Sequence, residues 1–143
     1  MNIRFRNFLA VLGGLTASII VMMLMESIPV GPEMPAEVAQ DPALLKAFML
    51  SLPAYLYGWI ALGYALGSLI GGMVAHWIGK GNNKNIVRLS AALITLGILN
   101  MLMIPQPWWF WGHLLVYFPF AFLGQQWAKK WSRSNQNMGF KER

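Results

Sequence analysis

The sequence predicts an all-α membrane protein with four transmembrane helices, and three observations support this fold class. Four long apolar stretches fill most of the chain, at about residues 8–25, 53–78, 87–104 and 108–128. A helix of roughly 18 or more mainly apolar residues is long enough to cross the hydrocarbon core of a bilayer. Hydrophobic residues make up 57% of the chain and charged residues 11%, which is far from the usage of soluble domains. The third observation is that nearly all basic residues lie on one side of the predicted membrane.

The charge distribution predicts that both termini are cytoplasmic. Basic residues precede the first stretch, separate the second from the third and follow the fourth; they are Arg4, Arg6, Lys80, Lys84, Arg88, Lys129, Lys130, Arg133, Lys141 and Arg143. With four antiparallel spans these segments share one face of the membrane, which the positive-inside rule assigns to the cytoplasm. Most acidic residues fall in the loop on the other face. The net charge of +6 therefore indicates topology and not a nucleic-acid partner.

The composition also limits the domain organisation. We expect one transmembrane domain over residues 1–131, followed by a basic cytoplasmic tail at 132–143. The external loop at 26–52 is too short and too rich in proline to bury a core of its own. Because the chain has no cysteine, disulfides, thiol redox chemistry and thiolate ligation of a metal or haem are excluded. The short loops and compact layout favour the plasma membrane of a bacterium.

The segments between the spans are predicted from their prolines and glycines. Three prolines at 29–35 prevent the first helix from continuing and favour an extended connector. Asp41 followed by Pro42 is typical of a helix start, and the apolar residues that follow have helical spacing, so we expect a short external amphipathic helix that ends by Pro53. The glycine- and asparagine-rich 79–85 and the proline-rich 104–107 predict tight turns. Pro119 is predicted to kink the fourth helix.

The most regular pattern is a row of small residues at every fourth position of the second span. We call it the glycine stripe; it consists of Gly63, Gly67, Gly71, Ala75 and Gly79. Small residues at this spacing lie on one face of a helix and allow a second helix to approach at backbone distance, which is how helices associate in lipid. Two partners are possible: the first span of the same chain, through Ala10, Gly13, Gly14 and Ala17, or a second copy.

A second pattern is polar. Glu26 ends the first span, Asn100 and His113 each lie about one turn inside the outer ends of their helices, and Tyr117 follows His113 by one turn. Antiparallel spans would bring these residues together near the external face, and we call them the polar cluster. An ionisable group at this depth is either part of a structural hydrogen-bond network or a site for a proton or ligand. The sequence leaves both interpretations open.

Motifs for catalysis or cofactor binding do not stand out in the sequence. It contains no helical His-Glu zinc motif, nucleophile elbow or phosphate-binding glycine loop, so we do not expect an enzyme. Methionines near the outer ends of the first and third spans would suit copper, but neighbouring methionines on a helix point in different directions. We expect no metal and no cofactor.

These observations lead to two functional hypotheses. In the first, the protein is a helical scaffold or accessory subunit of a membrane complex, packed through the glycine stripe, with a larger membrane subunit as its partner. In the second, it is a homo-oligomeric transporter or channel subunit with an external site at Glu26, Asn100 and His113. Four helices enclose little volume, so transport would require more than one copy.

Overall fold

The computed structural model describes the backbone of residues 2–141 and the side chains of residues 2–134, and the regular structure in this part of the chain is helical. The elements are α1 (Ile3–Glu26), α2 (Ala36–Gln40), α3 (Pro42–Ser51), α4 (Ala54–Gly79), α5 (Asn83–Met103), a 3₁₀ helix (Trp108–Val116) and α6 (Tyr117–Lys141). Three of them, α1, α4 and α5, are long and apolar enough to cross a membrane. The predicted all-α class and the presence of helices long and apolar enough to span a membrane are thus confirmed.

The segment predicted as the fourth span, 108–128, is divided between the 3₁₀ helix and α6 and is not one of the three. Pro119 explains where the division falls. Proline has no N–H to donate, and it is tolerated in the first turn of an α-helix, where the N–H groups have no partner within the helix. Because α6 begins at Tyr117, Pro119 lies in that first turn. The segment thus changes from 3₁₀ helix to α-helix two residues before Pro119.

Polar side chains cap the N-termini of three of the helices. Asn2 accepts a hydrogen bond from the N–H of Arg4 at 3.1 Å, and Asn82 accepts one from Lys84 at 3.1 Å. Asp41 accepts from the N–H of Ala43 at 2.7 Å. Each bond satisfies a donor that the first turn of a helix leaves without a partner. The short helix expected after Asp41 is α3, and α2 is an additional turn of helix that the sequence did not predict.

The turn between α4 and α5 requires unusual backbone. Lys80 has φ 50° and Gly81 has φ 80°, and the N–H of Gly81 donates to the carbonyl of His76 at 3.1 Å. Glycine adopts positive φ without the steric cost that a Cβ brings. The turn reverses the chain within a few residues, so that α5 returns along α4.

Helix α4 is the centre of the molecule. It packs against α1 on one side and α6 on another, whereas α1 and α6 do not contact each other within the described residues. Helix α5 contacts all three. We call the end that carries residues 26–53 and 104–110 the loop end, and the opposite end, with Arg4, Lys80 and Lys129, the basic end. Of the predicted tail at 132–143, the side chains of 135–143 lie outside the described residues.

Candidate functional site

The glycine stripe faces α1 of the same chain. A Cβ at Gly71 would meet the carbonyl oxygen of Gly14 at 2.6 Å, and one at Gly67 would meet that of Ser18 at 2.8 Å. The remaining members follow the same face: Gly63 lies beside Met25, Ala75 beside Gly14, and Gly79 beside Ala10. Since even a methyl group has no room at Gly67 or Gly71, α1 occupies the stripe along its length.

A second face of α4 approaches α6 equally closely. A Cβ at Gly72 would collide with the carbonyl of Ala121, and one at Gly124 would collide with that of Leu69. Ala121 is fully buried. Neither Gly72 nor Gly124 is a member of the glycine stripe. Helix α4 is therefore held between two helices at backbone distance, and it needs glycine on both faces.

Two of the small residues expected to meet the stripe lie elsewhere. Ala10 and Gly14 face the stripe, whereas Gly13 lies against Ile78 of α4, off the stripe. Gly13 and Ala17 line a groove of about 500 Å³ on the outer side of the α1–α4 pair. We call this the Thr16 groove; its lining residues are Leu9, Leu12, Gly13, Thr16, Ala17, Ile20 and Ile78. All but Ile78 belong to one face of α1. The groove thus presents a second row of small residues on the outside of the molecule.

The polar cluster is divided between two cavities. Glu26, Asn100 and Tyr117 line a cavity of about 310 Å³ at the loop end, which we call the Glu26 cavity. Its remaining polar residue is Tyr64, whose hydroxyl accepts a hydrogen bond from Asn100 at 3.4 Å. His113 does not line this cavity. The structure therefore brings three of the four cluster residues together and adds a tyrosine.

Tyr64 is a residue that the sequence analysis missed. It lies seven positions after Tyr57, which is two helical turns, so both side chains project from the same side of α4. Only 7% of Tyr64 is exposed, and its ring packs 5.1 Å from that of His113 and 5.8 Å from that of Tyr117. A tyrosine far from both ends of an apolar span needs a partner for its hydroxyl, and this signal was available in the sequence.

His113 lies in an aromatic environment. Its ring stacks on Phe110 with centroids 4.4 Å apart, and its Nδ1 lies 2.6 Å from the carbonyl oxygen of Phe110. It lines a different cavity of about 350 Å³ between the start of α4 and the 3₁₀ helix, which we call the His113 cavity. Tyr64 contacts both the ring of His113 and the amide of Asn100, but His113 and Glu26 line different cavities.

Two aromatic side chains of α4 form hydrogen bonds to neighbouring helices at the loop end. The indole N–H of Trp59 donates to the carbonyl of Met25 at 3.1 Å, and the hydroxyl of Tyr57 donates to the carbonyl of Met49. Tyr57 is almost fully buried, against Trp109 and Phe110. The first bond ties the end of α1 to α4, and the second ties the end of α3. Both side chains are therefore structural contacts within the protein.

The basic end contains a hydrogen-bond network of amides that the sequence analysis took only for a turn. Asn7 accepts hydrogen bonds from Asn82 at 3.3 Å and from Asn85 at 3.2 Å. Gln125 donates to Asn83 at 2.8 Å. Asn85 is fully buried. The α4–α5 turn is thus attached to α1 on one side and to α6 on the other.

Within the described residues, no group of three or more His, Asp or Glu side chains is placed to hold a metal ion. What the loop end offers is a carboxylate, two tyrosine hydroxyls and an amide around one cavity, and an imidazole in another. These groups can bind a proton or a polar ligand through hydrogen bonds. Comparison with protein-family models, with curated proteins and with solved structures finds no match to this chain.

Proposed function

We propose that the protein is a multi-pass membrane protein that acts as a helical scaffold or accessory subunit of a larger membrane complex. The observation that carries this proposal is the Thr16 groove, because it leaves Thr16 exposed and Ala17 half-buried beside Gly13, which Ile78 partly covers. Small residues at helical spacing are what helices in lipid use to associate. The partner is a transmembrane helix of another subunit.

The proposal includes four crossings, and the packing of α6 supports the fourth. Aromatic and glycine contacts pair α4 with the segment after residue 108 in the same chain order, through Tyr57 with Phe110, Tyr64 with Tyr117, and Trp77 with Trp131. The segment therefore runs beside α4 for nearly its full length. If α4 crosses the membrane, the 3₁₀ helix and the first part of α6 cross it together in the same direction.

The proposed topology has both termini in the cytoplasm, and single cysteines test it, since the chain has none of its own. We expect Glu37→Cys to react with a membrane-impermeant maleimide in intact cells and Ser134→Cys to react only after lysis. Both side chains are exposed in the structure. Labelling of Ser134→Cys in intact cells would overturn the orientation.

The accessory role is tested with a photo-crosslinking amino acid at Thr16, with Phe8 as the matched control. Both residues are exposed on α1, but Phe8 does not line the groove. We expect one defined crosslinked subunit from Thr16, none from Phe8, and loss of the Thr16 adduct in the Ala17→Leu variant, in which a larger side chain fills the groove. Equal crosslinking from both positions would indicate lipid exposure on both sides and would contradict the proposal.

The Glu26 cavity favours a second candidate, a transporter or channel subunit. A carboxylate beside two tyrosines and an amide is suited to a cation or a proton. Because the glycine stripe is occupied by α1, a homo-oligomer would have to form through another face. We expect Glu26→Gln to abolish cation or proton flux into liposomes, with Glu33→Gln as the control in the loop. Flux that is the same in both variants would exclude this role for Glu26.

A further inference from the structure

Two glycines of the loop end differ from the glycines that admit a neighbouring helix. A Cβ built on Gly58 of α4 or on Gly112 of the 3₁₀ helix would meet no atom within 4 Å. Glycine inside a helix costs about 1 kcal/mol relative to alanine. At Gly67 or Gly72 close packing explains this cost, but at these two positions no protein contact does.

Both glycines line the His113 cavity, on two different elements. Its volume of about 350 Å³ lies near the small end of the range for ligand sites, which is about 300 to 1,000 Å³. Aromatic rings of Tyr57, Trp109 and Phe110 form much of the wall. The missing side chains of the glycines leave room for a ring on an otherwise apolar and aromatic surface.

His113 lines this cavity and carries a buried polar atom without a partner among the described residues. The side chain is 5% exposed, and its Nδ1 lies 2.6 Å from the Phe110 carbonyl oxygen. Since a carbonyl oxygen only accepts, Nδ1 carries the hydrogen and, in the neutral ring, Nε2 is left as an acceptor. Nε2 is buried and has no hydrogen-bond partner among the described residues. A buried acceptor without a partner costs about 1–3 kcal/mol, which a donor from a ligand would recover.

We propose that the His113 cavity binds the ring of a phenol or hydroquinone, whose hydroxyl donates a hydrogen bond to Nε2 of His113. The ring would pack against the aromatic wall in the space above Gly58 and Gly112. A hydroxyl is required because Nε2 accepts, so the corresponding quinone, which has only acceptors, fits poorly. The same ring chemistry occurs with an apolar tail, as a membrane lipid, and without one, as a soluble metabolite. The binding site is independent of the accessory role and of Glu26.

The test is titration of the intact protein in nanodiscs, followed by the fluorescence of Trp109, with Trp109→Phe identifying its signal. The probes are a decyl-substituted benzohydroquinone held reduced, its oxidised quinone, and unsubstituted hydroquinone. We expect the hydroquinone to bind at least about tenfold more tightly than the quinone, because one hydrogen bond is lost. Stronger binding of the decyl compound would assign the site to a membrane lipid, and equal binding would assign it to a soluble phenol.

Variants locate the site. We expect His113→Leu and Gly58→Leu each to weaken hydroquinone binding by about tenfold or more. The matched control, His76→Leu at the basic end, should leave binding unchanged. Gly58 has open space around its Cβ position, so its variant remains a test even if His113→Leu does not fold.

Two results would overturn the proposal. One is the absence of saturable binding of any probe to the wild-type protein, which would leave a water molecule as the partner of Nε2. The other is binding that is equal for both oxidation states and unaffected by His113→Leu and Gly58→Leu. In that case the probes dissolve in the bilayer or bind elsewhere on the protein.

Discussion

The two halves of the molecule are packed by different rules. From the middle of α4 toward the basic end, the helices meet backbone to backbone, as Gly14 does with Gly71 and Gly72 with Ala121. At the loop end aromatic rings lie between the elements, with cavities of about 310, 350 and 360 Å³. The openings of the other half, about 460 and 500 Å³, lie beside the close helix contacts. One helix, α4, takes part in both arrangements.

The difference shows that glycine has two structural roles in this chain. In lipid there is no hydrophobic driving force between helices, so close packing and hydrogen bonds hold them together. A glycine allows close packing where a neighbouring backbone or side chain fills the space beside it, as Gly14 and Ala121 show opposite Gly71 and Gly72. Opposite Tyr57 or Phe110 a glycine instead leaves space. We therefore expect the close backbone contacts to contribute most to stability, and the cavities of the loop end to be the candidate ligand sites.

The largest difference in stability is expected between alanine at a close-packed glycine and alanine at a glycine with open space around it. In Gly124→Ala the new methyl group collides with the Leu69 carbonyl, and backbone cannot move aside as a flexible side chain can. We expect a loss of about 1–3 kcal/mol or more in the free energy of unfolding, measured in detergent with increasing denaturant. Gly58→Ala should be neutral or should stabilise by up to about 1 kcal/mol. Equal effects of the two variants would show that the halves are not packed differently.

The two asparagine networks provide the next test of the comparison. Asn85 is fully buried at the basic end and donates to Asn7, whereas Asn100 is half-buried in a cavity wall and has a longer bond to Tyr64. Hydrogen bonds between membrane helices are worth about 0.6 kcal/mol on average and up to about 1.7. We expect Asn85→Ala to destabilise near the upper value and Asn100→Ala near the lower value.

A reversed order would mean that the network at the loop end is the more important one for stability. The matched pair also tests the interpretation of the Glu26 cavity. If Asn100→Ala leaves stability nearly unchanged but alters the flux or binding that Glu26→Gln abolishes, the cavity residues serve a ligand. If it costs as much as Asn85→Ala, they form a structural network.

Features that depend on a single segment of the chain could be predicted from the sequence, whereas features that depend on contacts between helices could not. Hydropathy is a property of each segment, and it predicted the all-α class and the helices α1, α4 and α5. The short helix after Asp41 follows from a local start signal that the structure contains as a hydrogen bond to Ala43. The regularity of the glycine stripe indicated a close helix contact, but its partner depends on tertiary packing that spacing alone does not determine.

The candidate site was harder to predict, because helix depth was estimated along one axis only. The estimated depths placed Glu26, Asn100 and His113 at a similar level, and all three residues do lie at the loop end. It did not give the rotation of each helix, and in the structure His113 lines a different cavity from Glu26 and Asn100. The 3₁₀ helix also has three residues per turn and not 3.6, which changes the side to which His113 points.

The smallest effect is expected where α1 ends, at the boundary between the close-packed half of the molecule and the loop end. Trp59→Phe keeps a ring at the loop end but removes the N–H that donates to Met25 at 3.1 Å. Because the Met25 carbonyl lies near the end of its helix and next to an exposed Glu26, water can replace the lost donor, so we expect a cost of only about 0.5 kcal/mol.

Local motion is the more sensitive measurement of this boundary. If the indole ties α1 to α4, Trp59→Phe should increase hydrogen exchange of the amides around Ser27 and leave the exchange around Gly71 unchanged, since the backbone contacts there do not involve the indole. Trp111→Phe, at an exposed indole of the 3₁₀ helix, is the matched control and should change neither. Faster exchange at Gly71 in Trp59→Phe would mean that the loop end and the close-packed half unfold as one unit, and the distinction between them would then be one of packing only, with no difference in local stability.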